Sequence, residues 1–276
     1  MPELPEVETM VRDLRSRVLG RTFSAVDTHW DRMVLHPSPE ELRSRLIGRR
    51  IEALERHGKF AIFHLDRGGR LGLHRGMSGS LLHAPSGMAP SRHLRARFLL
   101  DDGSELRFDD PRKFGRLILA EEGESFEPPW ERLGPDSLNG SIDAGMLQSL
   151  FAKRRAAVKT LLLNQRVLAG VGNIYADEAL FLARIHPLRP AGGLRRPELN
   201  RLADAIHETL IQGIEGRGTT FSTYRDVEGK AGSNQHRLNV FGRAGEPCPL
   251  CGRPITKITL NGRGTHFCRH CQGRPR

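Results

Sequence analysis

Four cysteines lie within the last 29 of 276 residues, in the segments CPLC and CRHC. Two residues separate Cys248 from Cys251 and Cys268 from Cys271, and 16 lie between the pairs. Each C-x2-C turn can offer two thiolates to one metal ion, and two such turns complete a tetrahedral site. The chemistry this favours is a single structural Zn2+, since four protein ligands leave no position open for a substrate. Two disulfides or an iron–sulfur cluster are the alternatives at this spacing. His266 and His270 are not needed as ligands and are expected at the surface. Between the pairs, TKITLNGRGTHF reads as a β-hairpin with Arg263 near its tip. Arg253, Lys257, Arg269, Arg274 and Arg276 make the module basic, so Arg263 is either a solvated turn residue or a phosphate contact.

The other end of the chain, MPELPEVETM, puts a proline after the initiator and three glutamates in the next six residues. Part of this is helix chemistry. Pro5 suits a first helical turn, and Glu6 and Glu8 suit the positive end of the helix dipole. Val7, Met10, Val11, Leu14 and Val18 then form one apolar stripe, with Gly20 as the stop. Pro2 and Glu3 are left without a helical reason.

The elements that must position these residues follow from pattern. Residues 21–120 are β-rich, with a short helix from Ser38-Pro39 to Ile47, a hairpin turning at Asp102-Gly103 and a strand in RKFGRLILA. Prolines cluster in FEPPWERLGPDSL, which places a linker at about residues 126–137. Helices follow: one capped by Asp143, a basic one in AKRRAAVKTLLLNQ, one in GNIYADEALFLARI and one in RPELNRLADAIHETLIQGI. Residues 217–237 read as a long polar loop. Lys plus Arg outnumber Asp plus Glu by 43 to 32, a net charge of +11, so a polyanion is the leading partner. No apolar run approaches the roughly 20 residues of a membrane span. The start lacks a signal-peptide core, so an intracellular protein is expected.

Three distant segments carry a resemblance. PELPEVET, GVGNIYADE and the basic finger ending in CQGRPR are together similar to the bacterial formamidopyrimidine-DNA glycosylases, which remove oxidised purines such as 8-oxoguanine and cut the strand at the abasic site. HGKF, HRGMSG, DPRKFG and VFGRAGEPC extend the match from end to end. The resemblance implies an α+β protein. A β-sandwich with a leading helix spans residues 1–130. A helix–two-turn–helix domain with a lesion-recognition loop spans 131–237, and a zinc finger spans 238–276. DNA is expected in a basic cleft between sandwich and helical domain.

It also implies roles. With Met1 removed, the secondary amine of Pro2 would attack C1′ of the damaged nucleotide, and Glu3 would be the acid/base. An α-amine, with its pKa near 8, is partly unprotonated at neutral pH. Lys59 and Arg263 would join the catalytic set and, with Asn173 and Lys159, grip phosphates. Met77, Arg112 and Phe114 would fill the space left by the flipped base. His93 joins the DNA-binding set, and Glu6, Glu178, Thr219 and Tyr224 the lesion pocket, over which residues 217–237 would form a flexible lid. Four positions depart from the family pattern. Arg75 stands where an apolar residue is usual, Asn164 where Asp is common, Asn234 where an aromatic is common and Phe241 in place of Tyr. Endonuclease VIII-type glycosylases share the proline, the helical element and the finger, but DPRKFG and GMSG favour the purine branch. A non-catalytic damage-binding protein would have no need of the Pro2-Glu3 pair, and an RNA-binding zinc protein would not explain the N-terminus. The expected partner is damaged duplex DNA, bound by a monomer in the bacterial cytoplasm at the nucleoid.

Overall fold

The computed structural model describes residues 2–85, 87–138 and 142–273. Met1, whose removal the proline chemistry requires, and Arg274 and Arg276 of the basic finger lie outside them. Tertiary contacts divide the chain into two compact units. One comprises residues up to Glu131 together with Ile214–Gln235, the other Arg132–Gly213 together with His236 onward. The loop that the sequence assigns to the helical domain thus packs with the N-terminal unit, and the finger shares a unit with the helices.

Among the described residues of the first unit, α1 (Leu4–Val18) leads into nine strands and one further α-helix. β1 (Phe23–Thr28), β7 (Leu94–Leu100), β8 (Ser104–Asp109) and β6 (Ser80–Pro85) form one sheet, in that order. β2 (Val34–His36), β9 (Arg116–Ala120), β5 (Arg70–His74), β4 (Phe60–Leu65) and β3 (Ile51–His57) form the other. All pairings are antiparallel except β2 with β9. Phe98 and Phe108 from the first sheet share one core with Phe63, Leu73 and Leu117 from the second. The apolar stripe of α1 enters the same core: Val7, Met10, Val11, Leu14 and Val18 are all fully buried. α2 (Pro39–Leu46) starts as expected, with Ser38 Oγ accepting from Glu41 N at 3.2 Å and Glu41 Oε2 accepting from Ser38 N at 3.1 Å.

The second unit holds α3 (Ala144–Phe151), α4 (Val158–Leu162), α5 (Asn173–Leu182), most of α6 (Arg196–Glu215) and the hairpin β10 (Thr256–Leu260) with β11 (Arg263–Phe267). The basic stretch AKRRAAVKTLLLNQ is helical only over the five residues of α4. Lys153 takes a left-handed φ of 59°, which breaks any helix continuing from α3. Phe181, Val240, Cys248, Ile255 and Cys268 form a small core beneath the finger.

Candidate nucleic-acid interface and N-terminal site

The first ten described residues are all buried. Pro2 is buried, Glu3 and Glu6 are each 1% exposed, and Glu3 is the N-cap of α1. One carboxylate oxygen of Glu6 accepts the Glu3 backbone N–H at 2.7 Å. The other accepts the backbone N–H of Thr219 at 2.8 Å. A single side chain therefore fixes both the backbone beside Pro2 and the start of the 217–235 loop. Glu8 is not a solvated dipole charge. It is buried, and although burial opposes ionisation, hydrogen bonds from Arg12 and Arg56 at 2.7 Å hold its carboxyl below the usual range.

The loop has several further ties to its own unit. Val227 is fully buried in the sandwich core, and its carbonyl accepts from His83 N at 3.0 Å. Arg217 bridges Asp13 at 2.6 Å and Asp226 at 2.7 Å, and Arg17 meets Glu228 at 2.6 Å. Tyr224 is buried with its hydroxyl donating to the Arg217 carbonyl at 3.0 Å. Asn234, an aromatic position in the family pattern, is 1% exposed and donates from Nδ2 to Thr219 Oγ1 at 2.8 Å.

Met77, Arg112 and Phe114 come together at the surface of the same unit. Met77 is 38% and Phe114 45% exposed, and the Arg112 guanidinium lies 5.1 Å from the centre of the Phe114 ring. Large apolar side chains left outside a core are informative when they are clustered. Two residues that sequence reasoning missed build this cluster. Asp110, 1% exposed, accepts from Ser78 Oγ at 2.5 Å, from Arg112 N at 3.2 Å and from Gly115 N at 2.7 Å. Ser78 Oγ in turn accepts from Arg112 N at 3.1 Å. The HRGMSG and DPRKFG segments are thereby folded into one surface. Gly76, at φ 63°, has the Phe114 backbone 2.5 Å from where a Cβ would stand. The signal for this was present in the motifs, since Ser and Asp are turn residues. His93 sits beside it, its carbonyl accepting from Asp110 N at 2.9 Å and its Nε2 from Arg92 Nε at 3.1 Å.

Lys59 occupies the two-residue turn between β3 and β4, where His57 pairs with Phe60. Burial first, then the charges of Lys59 and Arg116, push the pKa of His74 down to about 4. His74 is therefore neutral at pH 7, and its Nδ1 accepts from Gly76 N at 3.1 Å, just before Met77.

In the second unit the expected phosphate contacts sort differently. Arg263 is exposed next to the Asn261-Gly262 turn, whose φ values of 49° and 73° make a tight hairpin. Lys159 does not face solvent. It is fully buried, paired with Asp177 at 2.6 Å, and donates to Thr265 Oγ1 at 2.8 Å and the Gly264 carbonyl at 3.1 Å. Asn173 Nδ2 donates to the same carbonyl at 3.0 Å. His266, expected at the surface, is buried and donates its backbone N–H to Asp177 Oδ2 at 2.8 Å. Lys159 and Asn173 are thus braces that hold the strand carrying Arg263. His270 is exposed, as expected. Glu178 is also a brace. It is 2% exposed and accepts the backbone N–H groups of Asn239, Val240 and Phe241 at 2.8–2.9 Å, with both oxygens engaged. Lys159→Met should lower stability by about 3–5 kcal/mol, because Asp177 would be buried without its partner. Urea unfolding checks this, and a Lys159→Met, Asp177→Leu double variant should recover only part of the loss, because the buried His266 N–H then lacks its acceptor.

The four cysteine sulfurs lie within 4.8 Å of one another, with Cys248–Cys271 at 3.8 Å and Cys251–Cys268 at 3.5 Å. A tetrahedral zinc with Zn–S bonds of about 2.3 Å spaces its sulfurs about 3.8 Å apart. The residues fit one structural zinc ion, held by Cys248, Cys251, Cys268 and Cys271.

Three family models match the chain. They are the formamidopyrimidine-DNA glycosylase N-terminal domain over residues 1–117, its H2TH domain over 133–225, and a zinc finger found in FPG and IleRS over 245–273. The formamidopyrimidine-DNA glycosylase of Symbiobacterium thermophilum is 47% identical over 277 residues, covering 100% of this chain and 90% of the relative. That of Geobacillus kaustophilus is 43% identical over 274 residues, covering 99% and 100%. Among solved structures, the MutM (Fpg) protein of Thermus thermophilus matches with a TM-score of 0.88 at 42% identity, covering 100% of each chain. The Lactococcus lactis Fpg in complex with abasic-site DNA matches with a TM-score of 0.90 at 34% identity, covering 99% of this chain and 100% of the other.

Proposed function

The chain belongs to the formamidopyrimidine-DNA glycosylase family, and from that premise we propose how its residues carry out the reaction. The protein is a DNA glycosylase and abasic-site lyase that acts on oxidised purines in base excision repair. The Pro2 amine, freed by removal of Met1, attacks C1′ as the bond to the damaged base breaks. Glu3 protonates the deoxyribose ring oxygen as the sugar opens. The product is an iminium ion between Pro2 and C1′, which acidifies the C2′ proton. Loss of that proton expels the 3′ phosphate, and a second elimination expels the 5′ phosphate. Met77, Arg112 and Phe114 occupy the duplex where the base has left, with Arg112 toward the opposite cytosine. Lys59 and Arg263 hold the flanking phosphates.

The observation that supports this best is Glu6, whose two oxygens hold Glu3 N and Thr219 N. An ordinary terminus frays; this one is fixed to the loop that would face the base. The zinc ion supplies no catalytic chemistry and only folds the finger. Among the described residues no helix is long and apolar enough to cross a membrane. A monomer working on chromosomal DNA in the cytoplasm is the natural setting.

Borohydride trapping tests the reading. A covalent adduct on an 8-oxoguanine:cytosine duplex, stronger than on a thymine-glycol duplex and weakened by Pro2→Gly, is expected. An adduct mainly on thymine glycol would assign the chain to oxidised pyrimidines. Tight lesion binding with no adduct on either duplex would leave a binding protein.

A further inference from the structure

Arg75 is a cation in the wrong place for a core. It follows β5, is 1% exposed, and stands where an apolar residue is usual in the family pattern. Burying a guanidinium is costly unless its donors are met. Here they are met by groups from three segments. Nε donates to the Gly79 carbonyl at 2.7 Å, within its own turn. Nη1 donates to the Glu6 carbonyl at 3.3 Å, in the first turn of α1. Nη2 donates to the Arg225 carbonyl at 3.0 Å, and the guanidinium lies 4.9 Å from the centre of the Tyr224 ring, both in the 217–235 loop.

We propose that Arg75 is a positioning residue that locks the 217–235 loop to the first turn of α1, and so couples reading of the damaged base to the Pro2-Glu3 pair. The inference rests on the reading of this chain as an oxidised-purine glycosylase. The loop is joined to that turn twice, at Thr219 through the Glu6 carboxylate and at Arg225 through Arg75. The first tie alone would join the loop to that turn at Thr219 only. The second fixes its far side, and the planar fork of Arg allows one side chain to reach both segments at once. An apolar residue would pack against Tyr224 but could not satisfy the Arg225 carbonyl.

The test compares wild type with Arg75→Met and Arg75→Lys, each zinc-loaded and full length. The readouts are amide hydrogen exchange of residues 219–230, single-turnover excision of 8-oxoguanine, and strand cleavage at a preformed abasic site. Arg75→Met is expected to raise loop exchange at least tenfold and to slow excision about tenfold, with abasic cleavage within twofold of wild type, because that substrate has no base to read. Arg75→Lys should fall between, since lysine keeps the charge but not the fork. Unchanged loop exchange overturns the inference, as does a fall in excision matched by an equal fall in abasic cleavage. If wild type itself excises nothing, it is the functional reading that fails, and loop exchange still decides the latch.

Discussion

Glu3→Gln is expected to slow single-turnover excision of 8-oxoguanine by about 10^2–10^4-fold, the range that a positioned acid contributes. That corresponds to about 3–5 kcal/mol of barrier. The substitution keeps the shape and the cap position but removes the proton that ring opening needs. Glu3 is 1% exposed and its backbone is fixed by Glu6, so the amide should occupy the place of the acid. Cleavage at a preformed abasic site should suffer far less, because that sugar already equilibrates with an open aldehyde that Pro2 can capture. Rate measurements on the two substrates, with the melting temperature as a control on folding, separate the outcomes. Equal losses on both would mean that Glu3 acts by holding the N-terminus. No loss on either would place the acid elsewhere.

The contrast between what could be read from the residues and what could not has a physical cause. Short-range signals translated directly. The stripe of α1 is buried residue for residue, Asp143 caps α3 with Met146 N donating to it at 2.7 Å, and the two C-x2-C turns converge. Each depends on neighbours a few positions away. The misreadings concern charges. Lys159 lies in a run of basic residues and reads as a solvated or phosphate-facing cation. Its partner Asp177 is on a different helix, and nothing local announces that the two are buried together. Glu178 looks like a pocket carboxylate for the same reason, although its oxygens close the chain at residues 239–241. Asp110 and Ser78 are legible as turn residues, but not as the pair that joins two turns more than 30 positions apart. Arg75 is legible only as an oddity in its motif. Its meaning depends on the Glu6 and Arg225 carbonyls, 69 and 150 positions away.

Removal of zinc should weaken binding to a lesion duplex by at least 100-fold while sparing the sandwich. Beneath the finger lies a core of only a few side chains, two of them cysteine ligands. A module that small cannot bury enough surface to fold unaided. A structural zinc site contributes about 10–16 kcal/mol of binding free energy to folding, which the Lys159–Asp177 and Asn173 braces on β11 cannot replace. Without the metal, the turn that presents Arg263 and the basic face around it should lose their fixed geometry together. Arg263→Ala should cost less, because it removes one contact and leaves the hairpin standing. The sandwich has a separate core with both sheets and α1, so its melting transition should persist in the metal-free protein. Metal release by a thiol-reactive mercurial with a colorimetric chelator should give one zinc per chain. Fluorescence anisotropy on a lesion duplex, with Cys268→Ser as the genetic equivalent, gives the affinity. Stoichiometric zinc loss with unchanged affinity would show that the finger does not hold the DNA, and would shift the grip to the Lys59 turn and the Met77–Arg112–Phe114 surface.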